Sequence, residues 1–168
     1  MISSSFIDIV SAHQRMVYSI ALRVTGDAGV AEEVTQDVFW ELFRSAETIR
    51  NEEHVRPWLR RVSVHRATDA VRKRQRQPES GAEEWIEAYT NSPDFPLSLE
   101  AQARIDELLQ SLPESMRTAV ILRYQEDLTP TEIADILAQP LQTVKSNLKR
   151  GLQLLRRKAA VTMKGYAV

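Results

Sequence analysis

Thr143, Lys145, Ser146, Asn147, Lys149 and Arg150 place six hydrogen-bond donors, three of them cations, within eight residues. Lys and Arg serve phosphates and guanine edges, Asn serves adenine, and Ser and Thr hydroxyls serve either. These residues alternate with Leu141, Val144, Leu148, Leu152 and Leu155, which recur at three- and four-residue spacing and so share one helix face. An apolar face opposite a basic, hydroxyl-bearing one suits a helix lying in the DNA major groove. An ordinary amphipathic surface helix has the same pattern, so the elements before it carry the distinction.

Catalytic chemistry is sparse. His13, His54 and His65 are far apart and lack metal-ligand spacing. His13 falls on an apolar stripe, as a core or boundary histidine does. His65 lies among basic residues and reads as a polar DNA-side or packing residue rather than a general base. Gly26-Asp27-Ala28-Gly29 is a helix-to-helix turn, not a phosphate loop, and Glu32-Glu33 with Asp37 and Glu41 is a solvated acidic face. No catalytic residue, metal site, cofactor or small-molecule substrate is expected. With no cysteine there is no disulfide framework. No charge-free apolar run is long enough to span a membrane, and Met1-Ile2-Ser3-Ser4-Ser5 does not open a signal peptide. A cytoplasmic protein with no membrane insertion is the expectation.

The elements that must position the donors read as helices throughout. Thr129-Pro130-Thr131-Glu132 offers an N-cap, a proline suited to the first helical position and a glutamate able to close a capping box. A short helix through Ile133-Ala134-Asp135-Ile136-Leu137 follows, then a turn, then the second helix from Pro140: a helix-turn-helix. Upstream, a helix over about Ser5 to Thr25 has Phe6, Ile9, Val10, Val17, Ile20 and Val24 as its stripe. Gly26 and Asp27 suit its C-terminal turn and the next N-cap. The helix from Ala28 to Ser45 buries Val30, Val34, Val38 and Leu42, leaving Glu33, Gln36, Asp37 and Trp40 to the side or outside. A large aromatic on a polar face favours a protein interface over packing beneath a linker. A third helix, Glu53 to Gln75, has apolar residues off any single narrow stripe, so it is expected to pack along its first half and project cations along its second. Helices near Leu99–Leu112 and Pro113–Glu126 complete an all-α chain of two small domains, 1–78 and 98–168, joined by an acidic linker at 79–97.

The formal net charge of -1 hides strong segregation. Arg56 to Arg76 is basic apart from Asp69, Lys145 to Lys158 contains no acid, and Glu79 to Glu100 contains no Lys or Arg. Each basic run alone admits a solvated helix face; two on one short chain favour a polyanion partner. One hypothesis is that the linker acids fold against those basic helices and screen them in the free protein.

Together these segments resemble the extracytoplasmic-function (ECF) group of sigma-70 RNA polymerase sigma factors. Ala31-Glu32-Glu33-Val34-Thr35-Gln36-Asp37-Val38-Phe39-Trp40-Glu41-Leu42-Phe43 resembles the family's polymerase-binding helix. Arg56-Pro57-Trp58-Leu59-Arg60-Arg61-Val62 through Asp69-Ala70-Val71-Arg72-Lys73 resembles its −10 recognition and melting helix, and Leu112-Pro113-Glu114-Ser115-Met116-Arg117 through Arg150 its −35 domain. The resemblance implies a non-enzymatic initiation factor whose partners are core RNA polymerase, promoter DNA and an anti-sigma factor. Glu33, Gln36, Asp37, Trp40 and Phe43 would meet the polymerase clamp helices. Trp58, Arg60, Arg61, His65, Arg66, Arg72 and Lys73, with the loop Ile49 to Val55, would hold the −10 element, and Thr143, Lys145, Ser146, Asn147, Lys149 and Arg150 the −35 element. The linker would lie in the RNA exit channel. A stand-alone helix-turn-helix repressor is the alternative, and a helical protein-binding adaptor a third. The sequence departs from the family at Ala138 and Gln142, where glycine is usual, at Asn147 (arginine), at Gly151 (alanine) and at His65 (asparagine). Gly151 in place of alanine is expected to loosen the helix by roughly 1 kcal/mol.

Overall fold

The computed structural model describes residues 5–47, 49, 51–76 and 99–164, with side chains at 100–161 in the last segment. The described residues are helical, without strands, and the chain divides into two compact units, Met1–Trp85 and Ile86–Val168. The linker expected at 79–97, with the Trp85-Ile86-Tyr89 docking segment, lies outside the described residues.

In the first unit, α1 (Phe6–Thr25), α2 (Ala28–Ser45) and α3 (Val55–Arg76) each pack on the other two. The α1–α2 turn forms as its residues dictate. Gly26 takes φ 69° and ψ 18°, and its N–H donates to the Leu22 carbonyl at 2.7 Å. Asp27 then caps α2, accepting the Val30 N–H at 3.0 Å through Oδ1. Its other oxygen, Oδ2, accepts Arg74 Nη2 at 2.7 Å, so one carboxylate starts α2 and anchors the far end of α3.

Two expectations for this unit change. Phe6 is 37% exposed, whereas Ile9, Val17, Ile20 and Val24 are buried, so the core begins one turn later than the stripe suggested. The α3 helix does keep a continuous buried stripe: Val55, Leu59, Ser63, Ala67 and Val71 at four-residue spacing, with Val64 and Thr68 beside them. Hydropathy hid it because two members are hydroxyls. Ser63 Oγ donates to the Leu59 carbonyl at 2.6 Å and Thr68 Oγ1 to the Val64 carbonyl at 2.8 Å, which removes the cost of burying them. The helix therefore packs along its length, not only along its first half.

The second unit contains α4 (Leu99–Gln110), α5 (Glu114–Val120), a π-helical turn (Ile121–Gln125), α6 (Pro130–Leu137) and α7 (Leu141–Lys164). The helix expected over Pro113–Glu126 thus changes pitch halfway. The Glu126 N–H donates to the Ile121 carbonyl five residues back at 3.3 Å, and Asp127 follows at φ 59°. Helices α4, α5 and α6 all pack on α7. Gly151 is buried at the α5–α7 crossing, where an added Cβ would meet Val120 Cγ2 at 3.1 Å and Met116 Cβ at 3.5 Å. The glycine expected only to loosen α7 also admits the close approach of α5.

Candidate nucleic-acid interfaces

The helix-turn-helix is built from local chemistry first. Thr129 Oγ1 accepts the Glu132 N–H at 3.3 Å, and Glu132 Oε2 accepts the Thr129 N–H at 2.7 Å: both halves of the capping box are made, with Pro130 opening α6. Ile133, Ala134 and Ile136 are buried. Ala138 ends α6 in the left-handed region at φ 51° and ψ 47°, which costs a Cβ-bearing residue roughly 1–2 kcal/mol relative to glycine. That residue reverses the chain into α7.

On α7, Val144 and Leu148 are buried and Leu141, Leu152 and Leu155 half-buried, so the periodic leucines do face inward. Gln142, Thr143, Lys145, Ser146, Lys149 and Arg150 are exposed on the remaining surface; Asn147 is half-buried at its edge. All lie within the first three turns of α7, the part of a recognition helix that reaches base edges. Lys158, counted in the same basic run, turns away and donates from Nζ to the Ser111 carbonyl at 3.0 Å.

The basic residues of α3 divide by direction. Trp58, Arg61, His65 and Arg72 recur at three-, four- and seven-residue spacing and lie along one face, with Trp58 half-buried and the others exposed. Arg66 and Lys73 are exposed on its flank. Arg60, about 100° round from Arg61, is half-buried toward α1, where its charge and that of Arg56 add to burial in holding the His13 imidazole below its ordinary pKa. Arg66 is also engaged: Nε and Nη2 donate to Glu41 Oε2 at 3.1 and 2.6 Å, and the Glu41 bond raises its pKa. The loop Ile49 to Val55 contains a short 3-10 turn (Glu52–His54), with Asn51 Oδ1 accepting the Glu53 N–H; Arg50 lies outside the described residues.

On α2, Glu33, Gln36 and Asp37 are exposed, Trp40 is 62% and Phe43 57% exposed, and Val34, Val38, Phe39 and Leu42 are buried behind them. The Trp40 and Phe43 rings stack at 5.9 Å between centroids, 20° apart. An open groove of about 530 Å³ beside them is lined by Asp37, Trp40, Glu41, Arg44, Ser45 and Arg66. The sequence reading missed Glu41 as the partner of Arg66 and missed Phe6 and Ile7 as surface residues.

Among the described residues no group of three or more His, Cys, Asp or Glu side chains could hold a metal ion, and no helix is long and apolar enough to cross a membrane.

A family model for sigma-70 region 2 matches residues 9–77, and one for sigma-70 region 4 matches residues 102–155. RNA polymerase sigma factor SigV of Bacillus subtilis (strain 168) is 30% identical over 147 residues, covering 88% of this chain and 86% of that protein. ECF RNA polymerase sigma factor SigW of the same organism is 27% identical over 164 residues, covering 91% and 88%. Among solved structures, the sigma factor RpoE from Bartonella quintana, in complex with the anti-sigma factor NepR, has a similar fold. Its TM-score is 0.73 at 20% identity, covering 93% of this chain and 97% of that one. CnrH, in complex with the cytosolic domain of CnrY, aligns with a TM-score of 0.65 at 18% identity, covering 93% and 88%. With region 2 falling on the unit that carries α1–α3 and region 4 on the unit that carries the helix-turn-helix, the chain belongs to the ECF group of sigma-70 family RNA polymerase sigma factors.

Proposed function

We infer that this protein is a transcription initiation factor that binds core RNA polymerase and directs it to promoters with two recognition elements. The supporting observation is the separation of two donor-rich exposed helix faces, on α3 and α7, onto two units of a sigma-family chain, with an acidic and aromatic face on α2. The chain performs no reaction itself; the polymerase supplies the chemistry, and the protein works beside it in the cytoplasm. Sigma factors as a family are regulatory rather than catalytic.

In this reading Glu33, Gln36, Asp37, Trp40 and Phe43 dock on the polymerase. Trp58, Arg61, His65 and Arg72, flanked by Arg66 and Lys73, hold the −10 strand, where splaying a base out costs a few kcal/mol that contacts must offset. Arg60 sits behind this face and supports it from the α1 side. Thr143, Lys145, Ser146, Asn147, Lys149 and Arg150 read the −35 duplex. Asn147 and Gln142 favour adenine where arginine would favour guanine. The domains assigned are 1–78 and 98–168 with a linker at 79–97. Each contact surface is small and the net charge is -1, so the free chain binds DNA weakly; polymerase tethers both modules and raises their effective concentration. RpoE and CnrH were each solved with an antagonist or partner domain. We propose a protein antagonist here too, one that covers α2 or the exposed face of α7.

Mixing the purified chain with core polymerase tests the reading. Co-elution, with transcripts that begin at defined sites, is the expected result. No association and no defined starts would overturn it, and tight binding to a palindrome without polymerase would point to a repressor instead.

A further inference from the structure

We propose that Arg156 and Arg157 of α7 hold backbone phosphates flanking the −35 element, extending the DNA contact two turns beyond the base-reading residues; this rests on the proposed function above. The two arginines repeat the Lys149-Arg150 pair seven residues later, so each lies on the same helix face as its counterpart. Nothing interrupts the helix between the pairs: α7 runs unbroken from Leu141 to Lys164. Gln153, Arg156 and Arg157 are exposed, while Gly151 is buried and Leu152, Leu154 and Leu155 are half-buried. The packed side of α7 therefore stays packed, and the open side stays open, through Arg157. Lys158 marks the limit of that open side, because its bond to the carbonyl of Ser111 turns it toward the residue that follows α4.

Dimensions decide what the second pair meets. At a rise of about 1.5 Å per residue, Arg157 lies about 10 Å beyond Arg150 and about 21 Å beyond Thr143 along the helix axis. The major groove is about 12 Å wide. A straight helix with its first three turns against base edges passes the groove wall within that length, and phosphates line the wall. Arginine suits them, since its planar fork pairs two donors with phosphate oxygens. Charge agrees: from Lys145 to Lys158 the chain has six cations and no acid. Between Leu152 and Arg157 the exposed side chains are glutamine and arginine alone, without the large apolar anchor that a protein partner would desolvate. A phosphate contact here carries no sequence information. It fixes the register of α7 on the duplex and leaves discrimination to the earlier turns.

The test is binding of the full chain, assembled with core polymerase, to promoter duplex across a salt series, with thermal unfolding alongside. The wild type should bind more tightly than R156A/R157A on cognate and scrambled −35 elements alike. That advantage should shrink roughly tenfold between about 50 and 200 mM salt, the effect of about two released counterions. The melting midpoint should not change. Methylphosphonate substitution locates the contact: neutralising a phosphate just outside the −35 element should weaken the wild type and leave R156A/R157A unaffected. R150A is the reference and should lose discrimination instead. If R150A does so and R156A/R157A binds like the wild type, DNA contact ends at Arg150 and the inference fails while the functional reading survives. If polymerase carrying the wild type prefers no −35 element at all, both fail. Weaker association of R156A/R157A with polymerase, with the assembled complex binding DNA normally, would make the occupant an acidic protein surface and overturn the proposal. Should R156A/R157A melt early, R156Q/R157Q decides: wild-type affinity and salt dependence for that variant overturn the inference.

Discussion

Arg66 on α3 gives two hydrogen bonds to a single oxygen of Glu41 on α2, at 3.1 and 2.6 Å. Glu41 follows Trp40 in sequence, so the bond runs between the helix proposed to meet polymerase and the helix proposed to meet DNA. Both partners remain partly exposed, 47% and 37% by side chain, so the pair contributes at most about 1 kcal/mol. Its larger consequence is competition: a phosphate that engages Arg66 must displace the Glu41 carboxylate.

Glu41→Gln should release Arg66. Binding of the free chain to −10 single-stranded DNA should then tighten by up to about fivefold, the equivalent of an exposed ion pair. The salt dependence should steepen by about one released counterion. Fluorescence anisotropy across a salt series reads both. If E41Q and E41Q/R66A bind alike, Arg66 makes no DNA contact.

Arg150→Ala should cost roughly 1–3 kcal/mol of discrimination between a cognate and a scrambled −35 element if its guanidinium pairs with a base edge. Arg150 is exposed on α7 while Val144 and Leu148 form the buried side, so the variant should melt like the wild type. Competition footprinting of the polymerase complex separates the outcomes. An equal loss on both sequences would make it a phosphate contact.

Ala138→Gly should stabilise the second unit by roughly 1 kcal/mol, because alanine at φ 51° carries a steric cost that glycine lacks. Chemical denaturation of the full chain measures it. A destabilised variant would mean that the unfolded-state entropy of glycine outweighs the relief of strain at this turn.

Acidification should destabilise the first unit through His13. Burial, then Arg56 and Arg60, hold its folded pKa below the ordinary value of about 6.5. The unfolded chain therefore takes up this proton first. Stability is full above about pH 6.5 and is lost as pH falls from there toward the folded value. Melting midpoints from pH 7.5 to 5.5 should fall for the wild type and fall less for His13→Asn. Parallel curves would show that other groups carry the dependence.

Local chemistry was legible in the residues themselves. The capping box of Thr129 and Glu132, the left-handed Gly26, the Asp27 cap and the inward leucines of α7 depend on neighbours within four positions, which the order of residues displays. So do the exposed donors of α7 and the outward Trp40, since helical periodicity alone places them. Contacts between distant segments were not legible. Phe6 belonged to the core by periodicity, and only the return of α2 along α1 sets it against Phe43. Glu41 and Arg66 are 25 residues apart, and nothing local ties them. Ser63 and Thr68 looked polar until their hydroxyls found carbonyls inside the stripe. Arg60 and Arg61 looked equivalent until α1 took one side of α3. Gly151 looked like a helix defect until α5 packed across it. Sequence order determines hydrogen bonds that close within a turn; burial, pairing and close approach depend on which surfaces the folded chain brings together.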